Sequence, residues 1–289
     1  MSFLPLAAQY MLISAFSFSL MSLCVKLSAS NDIPVMEILA ARALVSLVLS
    51  FIALKAAKIP LFGTNKPLLI TRGLAGFIAL GFIFYSVSQL PLATASLLQY
   101  LNPAFTALLG FFLLKERINA GTFWCIILSL AGVAVMMGSS LSNITNESLP
   151  PLAIMAGVAG AAVTGIAYAS VKKLSATEHP LVIVFYFPLV ALPASIPFLL
   201  NNFVMPDLET LVYLVLVGCF TQVGQIYLTK AMKLETAGKT MAYSYFKVVF
   251  AALWGFLFLS EVPGLATYAG AALIICGAYL NIAFKSRSE

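Results

Sequence analysis

Charged residues are scarce in this chain. Asp, Glu, Lys and Arg make up only 9% of its 289 residues, whereas hydrophobic residues make up 62% and the mean hydropathy is +1.03. A soluble globular domain has about a quarter charged residues and roughly half apolar residues. So little charge cannot cover the surface of a protein of this length in water. The composition therefore excludes a soluble globular domain and predicts a polytopic membrane protein.

Cysteine and histidine are also few, and their positions do not suggest a chemical centre. The four cysteines all lie in apolar stretches without CxxC spacing, which favours packing over a disulfide framework or a zinc site. The single histidine, His179, stands between Glu178 and Pro180 in a predicted turn. The chain has no Walker A, HExxH or GxSxG motif. We therefore expect no enzymatic activity, no cofactor and no metal site.

Apolar stretches of about 20 residues, the length at which an α-helix crosses a bilayer, recur ten times along the chain. They are predicted at residues 5–26, 34–54, 68–89, 93–114, 121–139, 152–171, 180–200, 209–229, 239–259 and 264–284. The seventh stretch contains Pro188, Pro193 and Pro197, which predicts a kinked or broken helix. The expected fold class is an all-α polytopic membrane protein with ten transmembrane helices.

Lysine and arginine are distributed unevenly between the two predicted sides of the membrane. If the N-terminus is cytoplasmic, the cytoplasmic ends and loops hold all but three of the 16 basic residues. Arg72 is one of the residues on the cytoplasmic side. This bias predicts cytoplasmic N- and C-termini, and the short loops suit a bacterial cytoplasmic (inner) membrane. The net charge of +6 is then explained by membrane anchoring, so we expect a lipid bilayer and no nucleic acid as a partner.

The two halves of the chain repeat the same order of segments. Residues Leu92 to Gly138 are matched by Ala237 to Ala283 at an offset of about 145 residues. The offset also pairs a tyrosine and two glycines of each half, namely Tyr100 with Tyr245, Gly110 with Gly255 and Gly132 with Gly277. Duplicated five-helix units are typical of secondary transporters. We predict two inverted repeats, a first at 1–139 and a second at 152–289, joined by a loop at 140–151.

Three basic residues remain inside predicted helices: Lys26, Arg42 and Lys247. Arg42 and Lys247 each lie eight residues into a helix, which corresponds to a depth of about 12 Å at 1.5 Å per residue. A charge near the bilayer midplane needs a wet cavity or a partner, so both are candidate substrate-binding residues. Lys26, near the outer end of the first helix, either extends to the membrane surface or takes part in gating.

Glu37 is the acidic residue nearest to Arg42 in the sequence, five positions before it. One interpretation is a counter-ion for Arg42 or a proton-accepting gate, and the other is a charge exposed to water outside the membrane. Arg42 itself has a structural alternative, a buried ion pair that fixes the second helix to its neighbours.

Polar and aromatic residues at membrane depth complete the predicted binding site. With Arg42 and Lys247 the set comprises Tyr85, Gln89, Gln99, Tyr100, Asn102, Tyr168, Gln222, Gln225, Tyr243 and Tyr245. Amide groups that faced lipid would lack hydrogen-bond partners, so we expect these side chains to face a cavity. In the repeat alignment Lys247 falls on Asn102, so the two half-sites differ in charge.

Several of these residues also carry a family resemblance. They are Glu37 with Arg42, Arg72-Gly73, the segment from Leu90 to Asn102-Pro103 that leads into Leu114-Lys-Glu116, and its counterpart from Ala237 to Glu261. Together they resemble the EamA-type ten-helix transporters of the drug/metabolite transporter superfamily. The resemblance implies inverted repeats and a central pocket lined by helices one to four and six to nine, with helices five and ten peripheral. It also implies that Arg72 lies near the cytoplasmic face, with a gating or structural role.

The expected function is secondary active transport of a small polar, anionic metabolite by alternating access, proton-coupled or by exchange. Two midplane cations with at most one nearby acid leave a positive cavity that an anion would neutralise. The alternative is an exporter of amino acids or other zwitterionic or cationic metabolites, with Glu37 as the anionic contact. An intramembrane enzyme would need clustered His, Asp or Glu, and a channel would suit two like half-sites better. Either a monomer or a homodimer is compatible with the sequence.

Overall fold

The computed structural model describes residues 4–90, 98–142, 150–199, 203–259 and 264–284. Within these ranges every regular element is helical, which confirms the all-α prediction. The helices are α1 Leu6–Ser30, α2 Val35–Ala56, α3 Lys66–Gln89, α4 Asn102–Leu114, α5 Ala120–Ser142, α6 Pro151–Leu174, α7 Pro180–Leu199, α8 Leu208–Leu234, α9 Ala237–Ala242, α10 Phe246–Leu259 and α11 Leu265–Ala283. The predicted start of the fourth helix at residue 93, most of the inter-repeat loop and Glu261 lie outside the described residues.

Eight segments of the described chain are long and apolar enough to cross a membrane, and Asn102–Leu114 and Ala120–Val135 are shorter apolar helices. Together they match the ten predicted spans. The ninth span consists of α9 and α10 joined by a 3-10 turn at Tyr243–Tyr245, where the sequence predicted one uninterrupted helix. A short 3-10 segment inside a helix is frequent at functional hinges.

The seventh helix was predicted to be kinked or broken, and the break is wrong, whereas the kink stays a prediction. Helix α7 runs without interruption through Pro188, Pro193 and Pro197. Proline removes one backbone donor at each position, but packing between neighbouring membrane helices lets a helix tolerate this loss. Helix α7 packs against α2 and α3, which supports it on two sides.

The two halves are related by one constant shift along the chain. Helix α1 begins at Leu6 and α6 at Pro151, while α2 begins at Val35 and α7 at Pro180, a shift of 145 residues in both cases. The packing follows the same rule, because α1 packs on α8 as α6 packs on α3. Helix α2 packs on α7 and α5 packs on α11, and in each of these two pairs the partners are equivalent helices of the two halves. Because each half has an odd number of membrane-crossing helices, five, equivalent helices of the two halves run in opposite directions. Inverted repeats require this arrangement.

Helices α5 and α11 approach each other closely and symmetrically. A Cβ on Gly132 would lie 2.6 Å from the carbonyl oxygen of Gly270, and one on Gly277 would lie 3.1 Å from that of Cys125. Gly270 and Cys125 are themselves equivalent under the repeat shift. The absence of side chains at both glycines therefore lets the two backbones touch, as in other membrane helix pairs built on small residues.

This contact gives a prediction for stability. Changing Gly132→Ala places a methyl group against a backbone carbonyl that cannot rotate away, so α5 and α11 must separate. We expect a loss of about 1–3 kcal/mol in the free energy of unfolding and a lower melting temperature of the purified protein. Gly81→Ala is the matched control, because a Cβ on Gly81 meets nothing within 4 Å. Equal melting temperatures for both variants would contradict the close approach.

Glu178 connects two loops at one end of the bundle. It lies buried in the turn between α6 and α7, where its Oε1 accepts hydrogen bonds from the Thr64 hydroxyl and the Asn65 backbone N–H, both at 2.7 Å. Burial raises the pKa of this carboxyl, but the hydrogen bonds from Thr64 and Asn65 together lower it by more. The net pKa therefore lies below its usual value of 4.5. The ionised carboxylate thus stabilises the fold.

A depressed pKa makes this contribution depend on pH. It is complete above the pKa of an unfolded glutamate and is lost as pH falls through the lower pKa of the folded protein. Glu178→Gln should therefore lower stability near neutral pH by about 1–2 kcal/mol and flatten the acid limb of a plot of melting temperature against pH. Asp32→Asn, at an exposed position, is the charge control. An unchanged acid limb in Glu178→Gln would show that the carboxylate does not hold the loops.

Candidate functional site

A cavity of about 430 Å³ lies in the centre of the helix bundle. Helices α1 to α4 and α6 to α10 all contribute to its wall, through Met11, Arg42, Arg72, Asn102, Tyr168, Phe187, Gln225, Met241 and Lys247 among others. None of its described lining residues comes from α5 or α11, which pack together elsewhere. The volume lies within the range of small-molecule sites.

Three cationic side chains face this central cavity: Arg42, Arg72 and Lys247. Among the lining residues that the structure describes, none is an aspartate or a glutamate. Charges in a low-dielectric interior need partners or water, so an unbalanced set of three cations makes the cavity strongly electropositive. Such a cavity attracts anions and disfavours cations.

Arg72 lines the central cavity. It is placed about 9 Å along α3 from Lys66, and its side chain, 3% exposed, lies on the cavity wall. Its Nη2 donates a hydrogen bond to Gln225 Oε1 at 3.2 Å, and its guanidinium carbon lies 4.9 Å from the centre of the Phe187 ring. The side chain extends inward from the first turns of α3, and the expected position near the cytoplasmic face stays a prediction. A role in gating stays a prediction.

No ion pair joins Arg42 and Glu37 among the described residues, so the counter-ion interpretation is wrong, whereas the proton-accepting gate stays a prediction. The Glu37 carboxylate instead accepts a hydrogen bond from the Val204 backbone N–H at 3.0 Å. Residues five apart on a helix point in different directions, which explains the separation. Arg42 contacts the Phe187 ring, with its guanidinium carbon 5.4 Å from the ring centre, and its Nε has no hydrogen-bond partner among the described residues.

A second, largely apolar cavity of about 610 Å³ continues from the central one. Both share Arg42, Lys247 and Gln99 as lining residues. From there the second cavity reaches Glu37 at the start of α2 and Phe198 at the end of α7. The charge bias of the loops predicts that this end faces outward. We refer to the second cavity as the vestibule.

A polar network joins four helices at the opposite end of the bundle. Lys115, with a left-handed φ of 56°, ends α4 and turns Glu116 back toward α9. One Glu116 carboxylate oxygen accepts a hydrogen bond from the Ala237 N–H at 2.7 Å, and the other lies 3.8 Å from Lys172 Nζ. Lys172 Nζ also donates to the backbone carbonyls of Met232 and Glu235, at 2.8 and 2.7 Å. The network ties α4, α6, α8 and α9 together.

The structure brings together about half of the predicted binding residues. Besides Arg42 and Lys247, those that line the central cavity are Gln99, Tyr100, Asn102, Tyr168 and Gln225. Tyr245 is buried beside the cavity, where its hydroxyl donates to the Tyr100 carbonyl at 3.0 Å. Tyr100 and Tyr245 are equivalent in the two repeats, so they meet where the halves join.

The other predicted residues do not reach the central cavity. Gln222 is buried against α2, where its amide donates to Ser50 Oγ at 2.8 Å, and Tyr243 is buried in the 3-10 turn. Tyr85, Gln89 and Lys26 are exposed on the bundle surface and line neither cavity. Tyr85 and Gln89 are therefore not part of the candidate site, because they lie on the outward face of α3.

Phe187 is a central residue that the sequence reasoning missed. Its ring contacts the guanidinium groups of both Arg42 and Arg72, and it lines the central cavity. A signal was available in the repeat, since Phe187 stands 145 residues after Arg42 and is its structural equivalent in the second half. The site is thus asymmetric at two pairs of positions, Arg42 with Phe187 and Asn102 with Lys247.

Known proteins are similar to this chain in sequence and in fold. Residues 5–138 and 151–283 each match the EamA-like transporter family. The chain is 34% identical over 266 residues to the pseudopaline exporter CntI of Pseudomonas aeruginosa, and the match covers 91% of each protein. It is 27% identical over 213 residues to the S-adenosylmethionine uptake transporter of Rickettsia bellii, covering 73% of this chain and 71% of that protein.

Two further proteins match most of the chain, one in sequence and one in structure. Human solute carrier family 35 member G1 is 27% identical over 279 residues, which cover 92% of this chain and 76% of that protein. A solved crystal structure superimposes with a TM-score of 0.79 at 20% sequence identity, covering 96% of this chain and 98% of that one. At this identity the likeness shows the fold alone.

Proposed function

The chain belongs to the EamA-like transporter family, and from this premise we propose that it is a secondary active transporter for a small polar, anionic metabolite. The observation that supports an anionic substrate is the central cavity, which three cationic side chains line and no described acidic side chain lines. Arg42 would hold the anionic group with two parallel hydrogen bonds, and Lys247 would act as a point charge. Gln99 and Tyr168 would contact the polar remainder of the substrate.

We infer transport by alternating access across the bacterial cytoplasmic membrane, with both termini cytoplasmic. The vestibule provides one route to the central cavity, and the network around Glu116 closes the other end. Coupling to protons or exchange for another metabolite would supply the driving force, since the chain has no nucleotide-binding motif. The name of the exporter relative favours outward transport. A monomer or a homodimer would suffice, because each cavity lies within one chain.

A zwitterionic substrate such as an amino acid is the second candidate. Glu37 lines the vestibule together with Arg42 and Lys247, so one continuous space contains both signs of charge. An ammonium group at Glu37 and a carboxylate at Arg42 would suit this arrangement. An enzymatic function is not proposed, because the family and the relatives that match this chain are transporters.

The test is thermal stabilisation of the purified protein by metabolites sorted by charge, followed by counterflow in proteoliposomes with each compound that stabilises. A ligand that binds only the folded state raises the melting temperature by mass action. Stabilisation by carboxylates or phosphates, with matching counterflow, supports the anion transporter. Stabilisation restricted to amino acids supports the second candidate. If only cations stabilise the protein, the anionic proposal is wrong.

A further inference from the structure

One buried cation has no role in the arrangement described so far. Arg72 is 3% exposed and faces the central cavity, yet its Nε and Nη1 atoms have no hydrogen-bond partner among the described residues. Its only described hydrogen bond goes to Gln225, a neutral amide. Gln225 therefore satisfies one N–H group and none of the charge. A buried guanidinium in this condition is a binding group without its ligand.

Arg72 occupies a different part of the space from Lys247. Arg42 and Lys247 line both the central cavity and the vestibule, whereas Arg72 and Gln225 line the central cavity alone. Arg72 thus lies on the far side of Arg42 from the vestibule. The Phe187 ring contacts both guanidinium groups, so their carbon atoms lie at most about 10 Å apart, the sum of the two distances to the ring centre.

We propose that Arg72 and Gln225 form a second anion-binding subsite, so that the substrate carries two separate anionic groups on one small molecule. This inference rests on the proposed anion transport and makes its substrate class more specific. The first group binds at Arg42 and Lys247, and the second at Arg72, with the Phe187 ring in contact with both guanidinium groups. A short diacid fits within the upper limit on the separation of the two arginines and within the volume of the cavity.

Charge balance points to the same class. One carboxylate would leave the cavity with two uncompensated cations, whereas a dianion leaves one. Uncompensated buried charge disfavours binding, so a second anionic group should strengthen it. Arg72 is then a specificity-determining residue that separates diacids from monoacids of the same shape.

The experiment uses pairs of compounds that differ by one charge at nearly constant shape. These are succinate with succinamate and N-acetylglutamate with N-acetylglutamine. Their dissociation constants are measured on the purified wild-type protein by thermal shift and by isothermal titration calorimetry. We expect the diacid of at least one pair to bind about 10- to 100-fold more tightly than its half-amide, as for loss of one hydrogen-bonded charge.

Three variants assign this preference to Arg72. Arg72→Gln should abolish the diacid preference but retain binding of the half-amide, while Arg72→Lys should keep part of the preference. Gln225→Glu leaves Arg72 in place and supplies it with a carboxylate, so it should also abolish the preference. Since Gln225→Glu removes no cation, it remains informative if Arg72→Gln does not fold.

The outcomes separate the inference from the proposed function. Equal affinity for diacids and half-amides in the wild type would overturn the two-subsite inference and leave anion transport standing. A preference that survives both Arg72→Gln and Gln225→Glu would also overturn it. A phosphate monoester that binds as tightly as any diacid would overturn it too, because one dianionic group would then bridge the cations. If no anion binds, both the function and the inference fail.

Discussion

The double variant Arg42→Gln/Lys247→Gln is expected to lose anion binding and transport by about 100-fold or more. Each residue would supply a charge-assisted contact worth about 1.5–3 kcal/mol, and both would contact the same anionic group. Glutamine keeps a polar side chain of similar length and removes the charge. Counterflow of a stabilising anion in proteoliposomes measures the loss of transport.

The stability of the ligand-free variant distinguishes a binding role from a structural one. Arg42 and Lys247 face a cavity that contains a third cation and no described acid, so their charges repel each other without ligand. Neutralising both should therefore leave the melting temperature unchanged or raise it. If these residues held the helices together, the melting temperature would fall instead.

Lys26→Gln is the matched control for the double variant. Lys26 is exposed and lines neither cavity, so its neutralisation should change anion affinity by less than about twofold, within the usual effect of a surface change. A large loss of anion transport in Lys26→Gln would show that overall positive charge, rather than the cavity cations, controls binding. Unchanged anion affinity in the double variant would contradict the proposed site directly.

The position of each residue along its helix could be predicted from the sequence, but the face of the helix to which it points could not. Arg42 and Lys247 were placed near the midplane by counting residues, and both line the central cavity. Tyr85 was placed at a suitable depth by the same count, yet its side chain is exposed. In water an amphipathic pattern reveals the inward face, whereas a membrane helix is apolar all round. The rotation of each helix is therefore set by tertiary packing.

Symmetry carried more information than the sequence reasoning used. The offset of 145 residues identified the repeat, and it also assigns Phe187 as the equivalent of Arg42. A phenylalanine has no polar atom to draw attention, so it was absent from the predicted site. Its contact with the Arg42 guanidinium depends on α2 and α7 packing together, a contact that no local pattern encodes.

The network around Glu116 and Lys172 could not be predicted because its bonds join distant segments through backbone atoms. The sequence analysis counted Lys172 among the basic residues of the cytoplasmic ends and loops, but its ammonium group donates to the carbonyls of Met232 and Glu235. Lys239 was assigned in the same way and is 5% exposed, close to Glu235. Lysines that the sequence analysis assigned to membrane anchoring thus also make contacts between segments at this end.

Glu116→Gln and Lys172→Met are expected to open the closed end of the bundle. In this structure the Glu116 carboxylate accepts a hydrogen bond from the Ala237 N–H and lies close to Lys172. Lys172 in turn donates hydrogen bonds to two carbonyls at the end of α8. Opening this end requires α4 and α6 to move away from α8 and α9, which breaks these bonds. Removing contacts worth about 1–3 kcal/mol shifts the equilibrium between closed and open states by about tenfold or more.

The shift is measured with a cysteine inside the cavity. Ser244→Cys, which lines the central cavity, is introduced after replacement of the four natural cysteines and is labelled from either side of the membrane. In Glu116→Gln and Lys172→Met, labelling from the side of Glu116 should accelerate about tenfold, and labelling through the vestibule should slow. Lys173→Met is the matched control, since Lys173 is the exposed neighbour of Lys172. Equal labelling rates in Lys172→Met and Lys173→Met would mean that the network does not control access, and closure would then rest on the close packing of α4 against α9.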